Sequence, residues 1–193
     1  LSTRKGNVVF LDEVLDTAEK KALDVIEQKS PDLKNKEEIA RQVGVGAVVF
    51  GALANSRIKD LAFSYDKALS FDGETEPYLQ YTHARCCSVI EKAGEVNAAP
   101  DYSVLTDDDS FALATRLAAF DQAVVTAGER YEPSVISGYL LDLAKLYNRF
   151  YLSSRILGEP APVQSSRLAL TRLTRDVLKT GLGLLLISAP TAM

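Results

Sequence analysis

The stretch EPSVISGYLLDLAKLYNRFYLSS, residues 132–154, decides the fold class: Ile136, Leu140, Leu143, Tyr147 and Phe150 recur at alternating steps of four and three. That spacing lines one face of an α-helix. Glu132-Pro133-Ser134 provides the start, because proline is preorganised for the first helical turn. A stripe this apolar needs partners of the same kind, and the flanking sequence supplies them. Upstream, Asp107, Asp108 and Asp109 crowd a helix start where the macrodipole favours negative charge, and Leu113, Leu117, Phe120 and Val124 follow on one face of the helix they begin. Downstream, beyond a Pro-rich connection from Gly158 to Pro162, a last long helix is predicted over Ser165 to Thr180, ending at Gly181. Before them, Thr75 caps a helix that runs to about Ala93 and stops at Gly94. These four segments read as an antiparallel helical bundle.

The first third reads as helical too. Asn7 to Phe10 is a short extended run, and Val14, Leu15, Ala18, Ala22, Val25 and Ile26 give a helix from about Asp12, its cap, to Lys29. Ser30-Pro31 ends it, since the residue before proline is pushed out of the α region. Asn35 with Glu38 resembles a capping box for Lys36 to Val43, with Gly44 as the stop, and Val45 to Arg57 is predicted as a separate buried helix. Residues 59–76 lack helical periodicity and carry a turn signal at Asp72-Gly73.

With 193 residues, 47% of them hydrophobic and 25% charged, the chain can bury a genuine core, which excludes disorder. The longest apolar run, Val43 to Ala54, falls short of the roughly 20 residues needed to cross a bilayer, and the first 20 residues mix acids and bases unlike a secretory leader. A cytoplasmic setting is therefore expected. The two cysteines, Cys86 and Cys87, are adjacent and His83 is the only histidine. That supply suits neither a disulfide framework nor a zinc site, so no metal ligand set is expected and at least one cysteine should be core filler. His83 stands one turn from Cys87, a spacing open to a nucleophilic pair, but nothing evident orients the imidazole. The net charge of −4 conceals a division: residues 130–193 hold eight basic side chains against four acidic, leaving 14 against 22 for the rest. A basic C-terminal third can meet a polyanion or be an ordinary solvated helical surface.

Several ordered strings resemble one family. Ser2-Thr3-Arg4-Lys5-Gly6-Asn7 is similar to the KMSKS signature loop of class I aminoacyl-tRNA synthetases, with Leu1 where methionine is usual and Thr3 at a lysine position. Phe63 to Gly73 followed by Tyr78-Leu79-Gln80-Tyr81-Thr82-His83-Ala84-Arg85 resembles the passage from catalytic to anticodon domain in the arginyl-tRNA synthetases. Tyr139 to Ala144, Asn148-Arg149-Phe150-Tyr151, Arg167 to Leu170 and the terminal Gly181 to Met193 resemble that family's helical anticodon-binding domain. Five such matches in one order are far more specific than any one alone. The HIGH motif of the same class appears nowhere, which implies a C-terminal fragment that is inactive by itself.

The resemblance implies a mainly α fold: a C-terminal antiparallel bundle of the class Ia anticodon-binding type, preceded by the helical tail of an α/β Rossmann-like catalytic domain. It divides the chain into a catalytic tail, 1–73, and an anticodon-binding domain, 74–193. It implies an arginine–tRNA ligase that uses ATP with magnesium, no cofactor held by the fragment, and arginine tRNA as partner rather than DNA or a membrane. Ser2, Thr3, Arg4 and Lys5 would face ATP phosphates, where charge develops during activation. Unstacked anticodon bases are read by aromatic rings, Arg planes and polar edges. Tyr139, Asn148, Arg149, Tyr151, Arg172, Arg175 and Met193 are the residues of those types in the bundle, with Tyr147 assigned to the core. Tyr78, Tyr81 and Arg85 share one helix edge at i, i+3 and i+7, and Gln80 and His83 share another; either edge could line the domain junction or touch tRNA. A freestanding helical RNA-binding module and a non-catalytic helical interaction protein are the alternative functions.

Overall fold

The computed structural model describes residues 10–59, 63–71, 73–96 and 98–193. The loop at Ser2 to Lys5 and most of the Asn7 to Phe10 run lie outside the described residues. Eight α-helices and one 3-10 turn make up the described chain, with no strand among the described residues: α1 (Leu11–Lys29), α2 (Lys36–Leu53), α3 (Tyr65–Ala68), α4 (Glu76–Ala93), the 3-10 turn (Tyr102–Val104), α5 (Asp108–Ala118), α6 (Phe120–Arg130), α7 (Ser134–Ser153) and α8 (Ala161–Leu184).

Helix α7 carries the opening stripe and is the centre of the bundle, contacting α4, α5, α6 and α8. Leu140, Leu143, Tyr147 and Phe150 are wholly enclosed, and Leu79 of α4, Leu113 of α5 and Leu168, Leu178 and Leu182 of α8 close over them. A second, smaller cluster joins Ala22 and Ile26 of α1 to Ile39, Ala40, Val43 and Ala47 of α2, with Leu69 beneath.

Local chemistry explains several ends. Asp107 caps α5 by accepting from the Ser110 amide at 2.8 Å. Gly94 closes α4 at φ 61°, a conformation that glycine adopts without strain. Other ends differ from the sequence reading. Helix α1 starts one residue before Asp12, so Asp12 and Glu13 complement the dipole of its first turn instead of capping it. Asn35 occupies the cap position of α2 but is left-handed (φ 56°) and makes no side-chain cap bond. The Thr75 hydroxyl likewise leaves its helix and donates to the Ser70 carbonyl at 2.6 Å.

The main correction concerns Gly44, which does not stop a helix; α2 runs unbroken from Lys36 to Leu53. A Cβ at Gly44 would fall 2.6–2.7 Å from the backbone of Ala18 and Glu19. The glycine is therefore a contact point between α1 and α2. Gly181 is the same kind of residue: α8 passes through it to Leu184, and a Cβ there would fall 2.5 Å from Leu140 Cδ2, so the glycine makes room for that side chain. The segment read as one helix after Asp107 is two, α5 and α6, broken at Ala119.

Gly46 makes room for something less ordinary. A Cβ at that position would lie 2.6 Å from Oε1 of Glu76, whose side chain is buried at the start of α4 with neither carboxylate oxygen hydrogen-bonded. Desolvation holds this carboxyl well above its ordinary value of 4.5. The folded chain therefore binds the proton more tightly than the unfolded one, and its stability should fall as pH rises from about 4.5 through the raised value. Glu76→Gln keeps the shape and removes the titration. Its melting temperature should exceed that of the parent at pH 8 by more than at pH 5; parallel curves for the two proteins would exclude an ionising Glu76.

Candidate nucleic-acid interface

Helix α4 and the end of α7 form the walls of an open cleft of about 880 Å³. Helical periodicity sets the α4 wall, since Tyr81, Arg85, Ser88 and Lys92 fall on one face. Tyr151 and Leu152 come from α7, Arg155 from the turn after it, and Thr191 to Met193 from the C-terminal segment. The lining carries Arg85, Lys92 and Arg155 against Glu91, an excess of positive charge.

The centre of the cleft is built around Arg85. Its guanidinium lies 4.8 Å from the Tyr81 ring centroid and 5.0 Å from that of Tyr151, so two helices grip one cation between aromatic faces. Arg85 also donates to Oδ1 of Asn148. The Asn148 amide donates in turn to the Tyr78 hydroxyl at 2.8 Å and to Thr82 Oγ1 at 3.0 Å. All three polar contacts fix the Arg85 plane from behind, while Tyr81 and Tyr151 keep 42% and 38% of their surfaces open. Preset planes with exposed rings are what an unstacked base or another flat ring requires.

Five of the residues singled out in the sequence thus meet at one place: Tyr81, Arg85 and Tyr151 in the cleft, Tyr78 and Asn148 behind it. Met193 joins them at the cleft edge and also packs on the α1–α2 cluster. Gln80 is wholly buried and ties the C-terminal segment to α4, donating to the Ser188 carbonyl at 2.9 Å.

Other residues on that roll lie elsewhere. Tyr139 is 3% exposed, and burial raises its phenol to about 12. Its hydroxyl donates to the Arg116 carbonyl at 2.7 Å, and the Arg116 guanidinium covers its ring at 4.3 Å. It is a core residue, as Tyr147 is. Arg149 points away from the cleft and pairs with Asp109. Arg175 pairs with its neighbour Asp176 at 2.7 Å, and neither Arg175 nor Arg172 lines the cleft.

Cys87 Sγ lies 3.9 Å from both ring nitrogens of His83, but the surroundings of the pair do not suit a nucleophile. His83 is 1% exposed and uses Nδ1 to donate to the Pro190 carbonyl at 2.9 Å. Burial lowers its basicity, and burial raises both thiols, Cys86 to about 12. Sequence reasoning passed over Lys92, Leu152 and Arg155 as site residues; Lys92 continues the Tyr81–Arg85 edge seven residues on and could have been found from that spacing, whereas Leu152 and Arg155 are exposed residues with no motif to mark them.

No helix among the described residues is long and apolar enough to cross a membrane. Residues 79–193 match the family described as DALR anticodon binding domain, and residues 1–65 match the catalytic domain of tRNA synthetases class I (R). The arginine–tRNA ligase of Halothermothrix orenii is 48% identical over the whole chain, and that of Clostridioides difficile is 47% identical. The chain spans about a third of the length of these curated relatives, 34% in both cases. The solved arginyl-tRNA synthetase of Thermus thermophilus superposes on 96% of the chain and 32% of its own, with a TM-score of 0.91 and 42% identity.

Proposed function

Because the chain belongs to the DALR anticodon binding domain family, we propose that the cleft between α4 and α7 holds unstacked anticodon bases of an arginine tRNA, within the C-terminal part of an arginine–tRNA ligase. The observation that carries this reading is Arg85, held flat between Tyr81 and Tyr151 and braced by Asn148. A base entering the cleft meets two half-open rings and a fixed guanidinium edge, and the cations at Lys92 and Arg155 face its phosphates. The larger enzyme would activate arginine with ATP and magnesium in the cytoplasm and pass it to the tRNA, with Ser2, Thr3, Arg4 and Lys5 facing the ATP phosphates. The division at residues 73 and 74 belongs to the same proposal: a catalytic tail followed by the tRNA-binding bundle.

The test is a titration against arginine tRNA, the same tRNA with a substituted anticodon, and an unrelated tRNA, each at two salt concentrations. Preference for the first, abolished by the anticodon change, is the expected result. Arg85→Ala should weaken that binding about tenfold or more, in keeping with the worth of stacking one base. Lys92→Ala should weaken binding to all three tRNAs alike and reduce the salt slope by about one. Equal, salt-sensitive affinity for every tRNA would reject the anticodon reading and leave a basic surface.

A further inference from the structure

We propose that Gln80 and His83 are positioning residues for the cleft: from inside the fold they lash the C-terminal segment to α4, so that Thr191 to Met193 stand as its third wall. The proposal rests on the cleft being the RNA site. Four observations carry it. The chain leaves α8 at Leu185 and turns through Leu186, which takes φ 60° although it is not glycine and is 89% exposed. Beyond that turn its side-chain attachments run to α4: Gln80 Nε2 donates to the Ser188 carbonyl at 2.9 Å, and His83 Nδ1 donates to the Pro190 carbonyl at 2.9 Å. Both side chains are completely enclosed, at 0% and 1% exposure, so water does not compete for these bonds. Three residues later Met193 packs on the α1–α2 cluster and, with Tyr81, lines both the cleft and a smaller cavity of about 290 Å³ beside Ile26 and Phe71.

The alternation along α4 explains how one helix does both jobs. Tyr81 and Arg85 face the cleft, while Gln80 and His83 are turned toward the tail. Neither of the latter lines the cleft, so neither is expected to touch RNA. Their effect on RNA must pass through the segment they hold.

Met193 is the only methionine of the sequence, so its carbon-13-labelled methyl, assigned with Met193→Leu, reports the wall directly. In His83→Phe and Gln80→Leu that signal should sharpen and move toward its random-coil position. Affinity for arginine tRNA should fall roughly tenfold, which corresponds to about 1.4 kcal/mol. His83→Asn keeps a donor near the Nδ1 position and should restore both readouts. In a chain ending at residue 190, His83→Phe should bring no further loss of affinity; this truncation removes no fully buried residue, so the comparison does not depend on how well the buried variants fold. An unmoved methyl in both variants would overturn the proposal. So would an equal loss of affinity in the full and truncated chains, the mark of general structural damage. If the unmodified chain bound no tRNA, the reading beneath the proposal would fall, while the methyl signal would still decide whether the strap exists.

Discussion

Gly44→Val is expected to detach α1 from the rest of the chain. A Cβ at Gly44 already falls 2.6–2.7 Å from the backbone of Ala18 and Glu19, and backbone inside a helix cannot swing aside as a side-chain tip can. Valine adds two methyl groups to that overlap. Overpacking of this kind costs about 3 kcal/mol or more. The loss should be local, because α1 is joined to the fold chiefly through Ala18, Ala22 and Ile26 against α2. Hydrogen exchange would show it as roughly a hundredfold drop in protection across residues 14–28, with the amides of α7 and α8 little changed. Gly138→Ala is the control. Nothing lies within 4 Å of its Cβ position in α7, so the better helix former should add about 0.5–1 kcal/mol. Retained protection in the valine variant would mean that α1 and α2 do not meet at this glycine.

The second large effect is expected at Leu140, which is wholly buried at the centre of α7. Leu140→Ala should lower stability by about 2–5 kcal/mol, with the spread set by how far the cavity collapses. Its partner across the interface makes the test more pointed. Gly181→Ala should be destabilising by itself, by about 1–3 kcal/mol, since its Cβ would overlap Leu140 Cδ2 at 2.5 Å. In the Leu140→Ala background that obstacle is gone, and the new methyl enters the vacated space. The double variant should therefore lose at least about 1 kcal/mol less than the sum of the two single losses. Urea titrations with unchanged slopes would measure this coupling; strict additivity would place Leu140 and Gly181 out of contact.

What the sequence reading caught and missed follows from the range of the forces involved. The stripe Ile136 to Phe150, the acidic helix start at Asp107 to Asp109 and the stop at Gly94 are local, and each appears in the structure as read. Gly44 was misread because glycine has two meanings in a helix. It weakens the helix by itself, yet it allows another backbone to approach, and only the opposing helix decides between them. The division between α5 and α6 at Ala119 has no Gly or Pro to announce it.

The site was partly visible for a similar reason. Tyr81 and Arg85 are one turn apart on α4, so their shared edge could be read from spacing. Tyr151 arrives from a helix some 70 residues later, and its place on the other face of Arg85 is a result of tertiary packing. Tyr139 illustrates the converse. It has the chemistry of a base-stacking residue, but Arg116 and Phe120 from two other helices enclose its ring.

Helix α4 finally bears on which changes in chain length the protein can absorb. It begins at the enclosed Glu76, turns one side to the C-terminal segment and another to the cleft, and ends at Gly94. Each residue in it advances the side-chain direction by about 100°. Inserting or deleting a single codon near Thr82 would leave Gln80 and Tyr81 in phase while rotating His83 and Arg85 out of their places together. No later substitution within α4 could repair both at once. The connection that follows is tied to α8 at its far end, where the Ala98 carbonyl accepts from Ser165 Oγ at 2.6 Å and the Asp101 amide donates to Ser166 Oγ at 2.9 Å, so natural length variation should accumulate just after Gly94, the place where a tag could be inserted.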